Sequence, residues 1–537
     1  MKRKLTAAAC ILAASIAGAA LFGGCAMKGG MVPDNNGGQW FGGISFDNAG
    51  TIGGSGANDP AAPDNAGGNS GSSESDKNEN YAYENIFEQG FTNAALEASS
   101  YFSLDRNTAN YSLVRAQLNS GSKIASKSVR VEELINYFSY GYPAPVAGEG
   151  FKATAYLSNC PWQAGNRLLT VGMRTEEVVV EAEKNNYVFL IDVSGSMSSR
   201  VDGLEGQTCL SLAKYGISKL VEGLGDNDSV SVVTYASGVD TVLDPTMATS
   251  SGKAKIMNAV NGLRAYGSTN ASGGLELAYR NASKNFTQNG NNRIVLISDG
   301  DFNVGITDAT ELKEFIQEKA NGGVYLSVLG VGMGNLRDDF MQTLALNGNG
   351  NYAYIDTPAE AEKVLCDELQ GMLTVVAKDA KAKVEFNRDA VEKYRLIGYD
   401  MKRLTQEEYE NSKTDAGEIG SNLCVTAVYE ITLKEDAEAG ARIADVSVRY
   451  KTPDAQEERE VNCSVSNALT SSEDAAFISC VAEFGLILRS SQYKGNATLK
   501  AVEARLADLP SYLEADAYKK EFKGLVAKAI ASGYYGE

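Results

Sequence analysis

The 537-residue chain predicts a doubly wound, Rossmann-like α/β domain inserted into a β-sandwich region, with small helical regions at either end. Three observations predict it. Between residues 185 and 377, short and nearly continuous apolar runs alternate with stretches of helical periodicity, the pattern of buried parallel strands joined by crossover helices. On both sides of that block, at 151–184 and 378–465, apolar residues alternate with period two, as in half-buried antiparallel strands. Beyond them, at 79–150 and 466–537, the spacing is helical.

The chain begins with a targeting pattern. Lys2, Arg3 and Lys4 precede an apolar stretch from Leu5 to Phe22 and then Gly23-Gly24-Cys25, which reads as a secretory signal peptide over 1–24. It resembles a lipoprotein signal, which implies lipidation of Cys25 and anchoring to a membrane of the bacterial cell envelope. Phe22 stands where such signals usually carry Leu, with Leu21 one place earlier. Ordinary cleavage nearby, or an uncleaved anchor, is the alternative. Loss of 1–24 removes three positive charges and no negative one, so a net charge of −19 becomes −22. Such a surface repels polyanions, so no nucleic-acid partner is expected. Residues 25–78, rich in Gly, Ser, Asn, Asp and Pro, bury too little apolar surface to fold and read as a tether reaching about 40 Å.

Region 79–150 reads as helices, one over Thr108 to Leu118 and one around Val129, Leu134 and Ile135, stopped near Tyr142-Pro143-Ala144-Pro145. Two strands follow, at 151–157 and 167–173. The α/β block has apolar runs at Tyr187–Ile191, Val230–Tyr235, Ile294–Ile297, Val324–Val331 and Tyr352–Ile355. Thr357, Pro358 and Glu360 predict a capping box with proline in the first turn. Asp308, three places before Glu311, marks another helix start. Five further strands are expected over 380–465. Together the seven should form one sandwich around the inserted domain. Three helices are expected over 472–535.

Histidine is absent, which excludes Ser-His-Asp and Cys-His devices and any His-ligated metal. Cys160, Cys209, Cys366, Cys424, Cys463 and Cys480 are scattered without a CxxC pair. This argues against a zinc site and favours isolated thiols over disulfides. A metal would therefore be held by oxygen, as Mg²⁺, Mn²⁺ or Ca²⁺ can be.

In open α/β sheets ligands bind at the carboxyl ends of the strands. Here one apolar run leads into Asp192-Val193-Ser194-Gly195-Ser196, and another into Ser298-Asp299-Gly300. Gly267-Ser268-Thr269-Asn270 precedes a helix between them. Asp192 and Asp299 would neutralise a divalent ion, with Ser194, Ser196 and Thr269 as neutral oxygens. The shell is left unsaturated, with a place for an outside carboxylate. Gly195 is expected to let the loop turn between the serines.

These three elements, in this order, resemble the metal-ion-dependent adhesion site of von Willebrand factor A domains, over roughly 185–377. The resemblance implies that Asp192, Ser194, Ser196, Thr269 and Asp299 bind a divalent cation, Mg²⁺ first. It also implies that the last helix of the domain, here about Pro358–Val376, can move with occupancy. The flanks, including Arg130-Val131-Glu132-Glu133-Leu134-Ile135-Asn136-Tyr137-Phe138 and Tyr394-Arg395-Leu396-Ile397-Gly398-Tyr399, are similar to YfbK-type bacterial proteins over about 80–535.

Two competing motifs are weaker. Asp299, Asp301, Asn303 and Glu311 approach a calcium loop, but Gly305 and the glutamate each fall one place late and a strand precedes them. Gly330, Gly332 and Gly334 imitate a dinucleotide loop but read better as a turn leaving the sheet. The expected function is a non-enzymatic, lipid-anchored envelope protein that grips an acidic residue of a protein partner through its metal. A structural envelope protein without ligand-binding activity is one alternative. A metal-dependent hydrolase is the other, with only carboxylates such as Asp301 to act as base.

Overall fold

The structure is a computed structural model that describes residues 87–536, except 105, 179–183, 202, 289, 301–308, 334–335, 369–374, 415 and 454–457. The signal, Cys25 and the tether lie outside the described residues, as do Asp301 and Asp308.

The first described segment departs from the helical expectation. β1 (Thr92–Asn93) and β2 (Ser99–Ser103) precede α1 (Ala109–Asn119) and α2 (Val131–Asn136). β2 has little apolar signal of its own, because its sequence is Ser-Ser-Tyr-Phe-Ser. It is a strand because Phe102 enters a core opposite Ala382 of a distant strand, a tertiary contact that local periodicity does not carry. β3 (Phe151–Asn159) and β4 (Asn166–Thr175) follow as expected.

The chain then enters the α/β domain. Its elements are β5 (Asn185–Asp192), α3 (Cys209–Gly223), β6 (Ser229–Tyr235), β7 (Val239–Met247), α4 (Ser250–Gly262), α5 (Ala271–Lys284), β8 (Asn291–Ser298), α6 (Ala309–Asn321), β9 (Val324–Val331), α7 (Asp338–Asn347), β10 (Tyr352–Ile355) and α8 (Pro358–Glu362). The sheet order is β10-β9-β8-β5-β6-β7, parallel except for β7. β7 was not expected: it contains Pro245 and its exposure alternates, both traits of an edge strand. α3, α4 and α8 share one core with the sheet. α5, α6 and α7 share another on its opposite face, joined by Ala109, Leu113 and Ala116 of α1. The fold is thus doubly wound, as predicted, with a borrowed helix. The helix begun by α8 continues as a wider, π-type turn over Lys363–Glu368. Val375 and Val376, expected in that helix, open a strand instead.

That strand, β11 (Val375–Phe386), is followed by β12 (Val391–Ile397), β13 (Arg403–Leu404), α9 (Gln406–Glu410), β14 (Gly417–Gly420), β15 (Cys424–Leu433), β16 (Arg442–Lys451) and β17 (Glu458–Ser466). One sheet runs β1-β12-β15-β4-β3, and the other runs β13-β2-β11-β16-β17 with β14 beside β11. The register Val171↔Ala427 joins segments before and after the insertion in a single sheet. Leu157, Leu169 and Tyr429 of the first sheet share a core with Phe102, Val384 and Val446 of the second. The sandwich therefore closes around the insertion, and it recruits β1, β2, β13 and β14 as well as the seven expected strands.

The chain ends in α10 (Glu473–Leu488), α11 (Leu499–Ala507), α12 (Pro510–Glu514) and α13 (Ala517–Ser532), one short helix more than expected. Pro510 at its first turn starts the extra helix. These helices and α2 bury Phe138, Phe477, Phe484 and Phe522 together. Among the described residues no helix is long and apolar enough to cross a membrane, and no disulfide forms; Cys160, Cys209 and Cys480 are buried.

Candidate metal centre

The site lies where the strand order reverses. From β5 the chain moves to β6 on one side, and later to β8 and β9 on the other. Ile191 of β5 pairs with Ile297 of β8, so Asp192 and Asp299 leave adjacent strands at the same end of the sheet. This crevice is the ordinary ligand position of such sheets.

Asp192 is fully buried and Asp299 nearly so. One Asp192 oxygen accepts the Ser194 backbone N–H at 2.8 Å. The other accepts the Ser298 hydroxyl at 3.0 Å. The Ser194 and Ser196 hydroxyl oxygens stand 3.0 Å apart. The Thr269 loop is pinned to this turn through its backbone. The Gly195 N–H donates to the Gly267 carbonyl at 3.1 Å, and the Tyr266 N–H to the Val193 carbonyl at 2.7 Å. Thr269 follows two residues later and is half-buried. Hydrogen bonds thus join Asp192, Ser194 and Ser196 to one another, Asp299 sits within electrostatic reach of Asp192, and Thr269 arrives by its loop.

Two glycines permit this approach, in a way the sequence reading only partly anticipated. Gly195 does not adopt a left-handed conformation. A Cβ there would meet the Gly267 carbonyl oxygen at 3.3 Å, so the residue serves closeness rather than a special turn. Gly267 is the left-handed one, at φ +79°, and a Cβ there would meet the Ser237 hydroxyl oxygen at 2.5 Å. Ser237 in turn accepts the Ser268 N–H at 2.9 Å.

Electrostatically Asp192 is an acid pressed by burial and by a neighbouring acid. Burial pushes the Asp192 carboxyl up to about 6; hydrogen bonds from Ser194 and Ser298 oppose the rise, and Asp299 adds to it. No lysine or arginine figures among these influences. A divalent cation would relieve that pair of acids. The donor set suits a hard ion, and the 3.0 Å between the serine oxygens is close to the edge of an octahedral Mg²⁺ shell, about 2.9 Å for Mg–O of about 2.0–2.1 Å. Among the described residues no three acids or thiols converge as a cage, here or elsewhere, so an ion at this site would lean on hydroxyls beside its two acids. The residues present therefore fit a divalent ion bound through two acids and several hydroxyls.

Sequence reasoning gave no role to Ser298 or Tyr235. Ser298 orients Asp192 and also accepts the Gly300 N–H at 3.1 Å. Its signal was its place beside Asp299. The buried Tyr235 side chain faces Asp192 and Ser298, and nothing local in the sequence marks it. Gly332, at φ +77°, turns the chain away behind the site. A Cβ on it would lie 2.5 Å from the Cys209 sulfur and 3.9 Å from the Asp299 Cβ.

The chain resembles known proteins along most of its length. Residues 77–170 match the family described as von Willebrand factor, 187–301 the von Willebrand factor type A domain, and 371–531 the C-terminal region of uncharacterized protein YfbK. Uncharacterized protein YfbK of Escherichia coli (strain K12) is 36% identical over 457 residues, covering 80% of this chain and 77% of that protein. Inter-alpha-trypsin inhibitor heavy chain H3 of Homo sapiens is 24% identical over 268 residues, 47% of this chain and 29% of its own length. Among solved structures, a von Willebrand factor type A protein from Catenulispora acidiphila is 17% identical, covers 72% of this chain and 91% of its own, and has a TM-score of 0.39.

Proposed function

The chain belongs to the YfbK family and carries a von Willebrand factor A domain; from that premise we propose that it is an envelope-anchored binding protein that grips an acidic residue of a protein partner through a divalent cation. The ion is Mg²⁺ in the first place, held by Asp192, Ser194, Ser196, Thr269 and Asp299. One observation carries the reading: Asp192 is buried within electrostatic reach of a second buried acid, Asp299, and is held by the Ser194 N–H and the Ser298 hydroxyl. When bound, the ion supplies an electrophilic centre for an outside carboxylate. The protein side does the rest. Ser298 and the Ser194 N–H hold Asp192 in one orientation, and the Gly195–Gly267 bond brings the Thr269 loop to the serines. Two acids and three hydroxyls would leave one place of an octahedral shell unfilled, which an outside carboxylate oxygen can take. The lipid anchor at Cys25 places this activity at a membrane. No base is assigned, and the role is binding rather than turnover.

Capture of partners from envelope extract by the purified protein, with and without EDTA, tests this. The expected result is a partner retained with Mg²⁺ and lost with EDTA or in Asp192→Ala. A structural role predicts capture indifferent to both, and turnover of an ester or peptide that requires metal would favour the hydrolase.

A further inference from the structure

A cavity of about 520 Å³ opens at the other end of the α/β domain, where β8 and β9 begin. Its walls come from both domains: Arg293 of β8 and Tyr325 of β9 on one side, Lys378 of β11 and Arg459 of β17 on the other. Arg293 lies about 20 Å along its strand from Asp299, at ~3.3 Å per residue.

Arg293 is the unusual feature. It is 3% exposed, and no carboxylate among the described residues forms an ion pair with it. Its hydrogen bonds go to neutral groups, Nη1 to the Ser327 hydroxyl at 2.7 Å and Nε to the Asn291 amide oxygen at 3.4 Å. The Tyr325 ring lies 5.5 Å from the guanidinium carbon. A guanidinium has five N–H donors, so three remain beside the cavity. Burial depresses its pKa, and Glu418 is the one carboxylate whose field reaches it. Buried arginines elsewhere in this protein are paired: Arg115, Arg130 and Arg395 each contact at least two carboxylates.

Besides Arg293, the lining sets Lys378 and Arg459 against Glu176 and Glu418, so the buried guanidinium leaves it with one formal positive charge in excess. Lys378 forms no ion pair among the described residues. Glu176, on the same wall, is engaged by the backbone N–H groups of Gly148 at 2.8 Å and Gly150 at 3.3 Å. A buried guanidinium with spare donors, facing a space of metabolite size, is a group prepared for an anion.

We propose that this cavity is a second binding site, which takes a small molecule presenting a carboxylate or phosphate to Arg293, with Lys378 supporting it at the rim. Because the walls belong to both domains, the ligand would also tie the α/β domain to the sandwich. The site is independent of the metal centre, so its test is run in EDTA.

Thermal unfolding of the purified protein is followed while inorganic phosphate or acetate is titrated, against chloride at equal ionic strength. The expected result is a saturable rise in Tm with at least one anion beyond the chloride control. The apparent affinity falls at least tenfold in Arg293→Gln and measurably in Lys378→Gln. The responding anion distinguishes phosphate from carboxylate. The absence of a saturable rise with both anions overturns the proposal, as does an equal rise in Arg293→Gln. Should Arg293→Gln fail to fold, Lys378→Gln decides alone: an unchanged affinity in that variant overturns the site.

Discussion

Two places in this molecule bury acids, and they treat them in opposite ways. At the candidate metal centre Asp192 accepts from the Ser194 N–H and the Ser298 hydroxyl, and the charge that acts on it is that of another acid, Asp299. Some strands away, Arg115 of α1 inserts between elements from three parts of the chain. It contacts Asp356, after β10, at 2.5 Å, Glu360 of α8 at 2.7 Å and Glu521 of α13 at 2.9 Å. Tyr137, just after α2, completes this group, donating to Glu360 at 2.6 Å and stacked on Tyr111 at 3.8 Å. Nearby, Lys363 and Arg106 hold Glu368. The difference teaches how to tell structural charge from functional charge in one fold. Where the chain supplies its own counter-ion, the acids fasten domains together. Where it supplies serine donors to Asp192 instead, the proposed role is to take a counter-ion from outside.

The largest expected effect separates the two directly. Arg115→Ala leaves Asp356 and Glu360 buried without their cation and should cost about 3–5 kcal/mol in urea unfolding. Asp192→Asn in EDTA should be neutral or slightly stabilising, because burial and Asp299 work against the Asp192 charge more than its hydrogen bonds support it. A comparable loss in both variants would erase the distinction.

A second prediction sharpens the fastened side through pH. Burial raises the Glu368 carboxyl, but Lys363 and Arg106 outweigh it and hold the group down at about 2, against an ordinary 4.5. A carboxylate depressed by folding adds stability that is fully present above about 4.5. That stability fades as pH falls from there through about 2. Urea midpoints measured from pH 6 to pH 2 should therefore drop on the acid side, by an amount on the order of 2 kcal/mol from this group. Glu368→Gln should show a shallower drop and start from a lower value at neutral pH.

On the open side, Thr269→Ala removes one neutral oxygen and leaves both acids. Mg²⁺ affinity should fall roughly tenfold, about 1.4 kcal/mol, with little change in the stability of the metal-free protein. The smallest effect belongs to solvent. Lys520 and Glu514 pair at 2.8 Å with both side chains mostly exposed, and Lys520→Ala should leave the unfolding midpoint where it was.

Much of this was legible in the sequence, for a physical reason. Buried parallel strands must be apolar on both faces, so Tyr187–Ile191 and Ile294–Ile297 announce themselves, and the acids that follow fall at one end of one sheet. The β-sandwich was legible from Val425, Ala427 and Tyr429, whose alternation is strict. β2 was not, because three of its five residues are serine and its partner lies almost 300 positions away. The capping box at Thr357 is only half as expected. Thr357 accepts the Glu360 N–H at 3.1 Å, but the Glu360 carboxylate turns to Arg115 and Tyr137 rather than back to the cap. Local rules found the helix start, and a long-range cation took the side chain. Arg293 escaped notice for the converse reason: in sequence it is one charged residue at the head of a strand, and only the fold reveals that no acid among the described residues forms an ion pair with it.

The central claim is that five oxygens from three loops hold one divalent ion. Calorimetric titration of EDTA-stripped protein with Mg²⁺ tests it most directly. The account predicts one saturable site per chain in the native protein and none in Asp192→Ala. A native chain that takes up no Mg²⁺, or a variant that takes it up equally well, would contradict it.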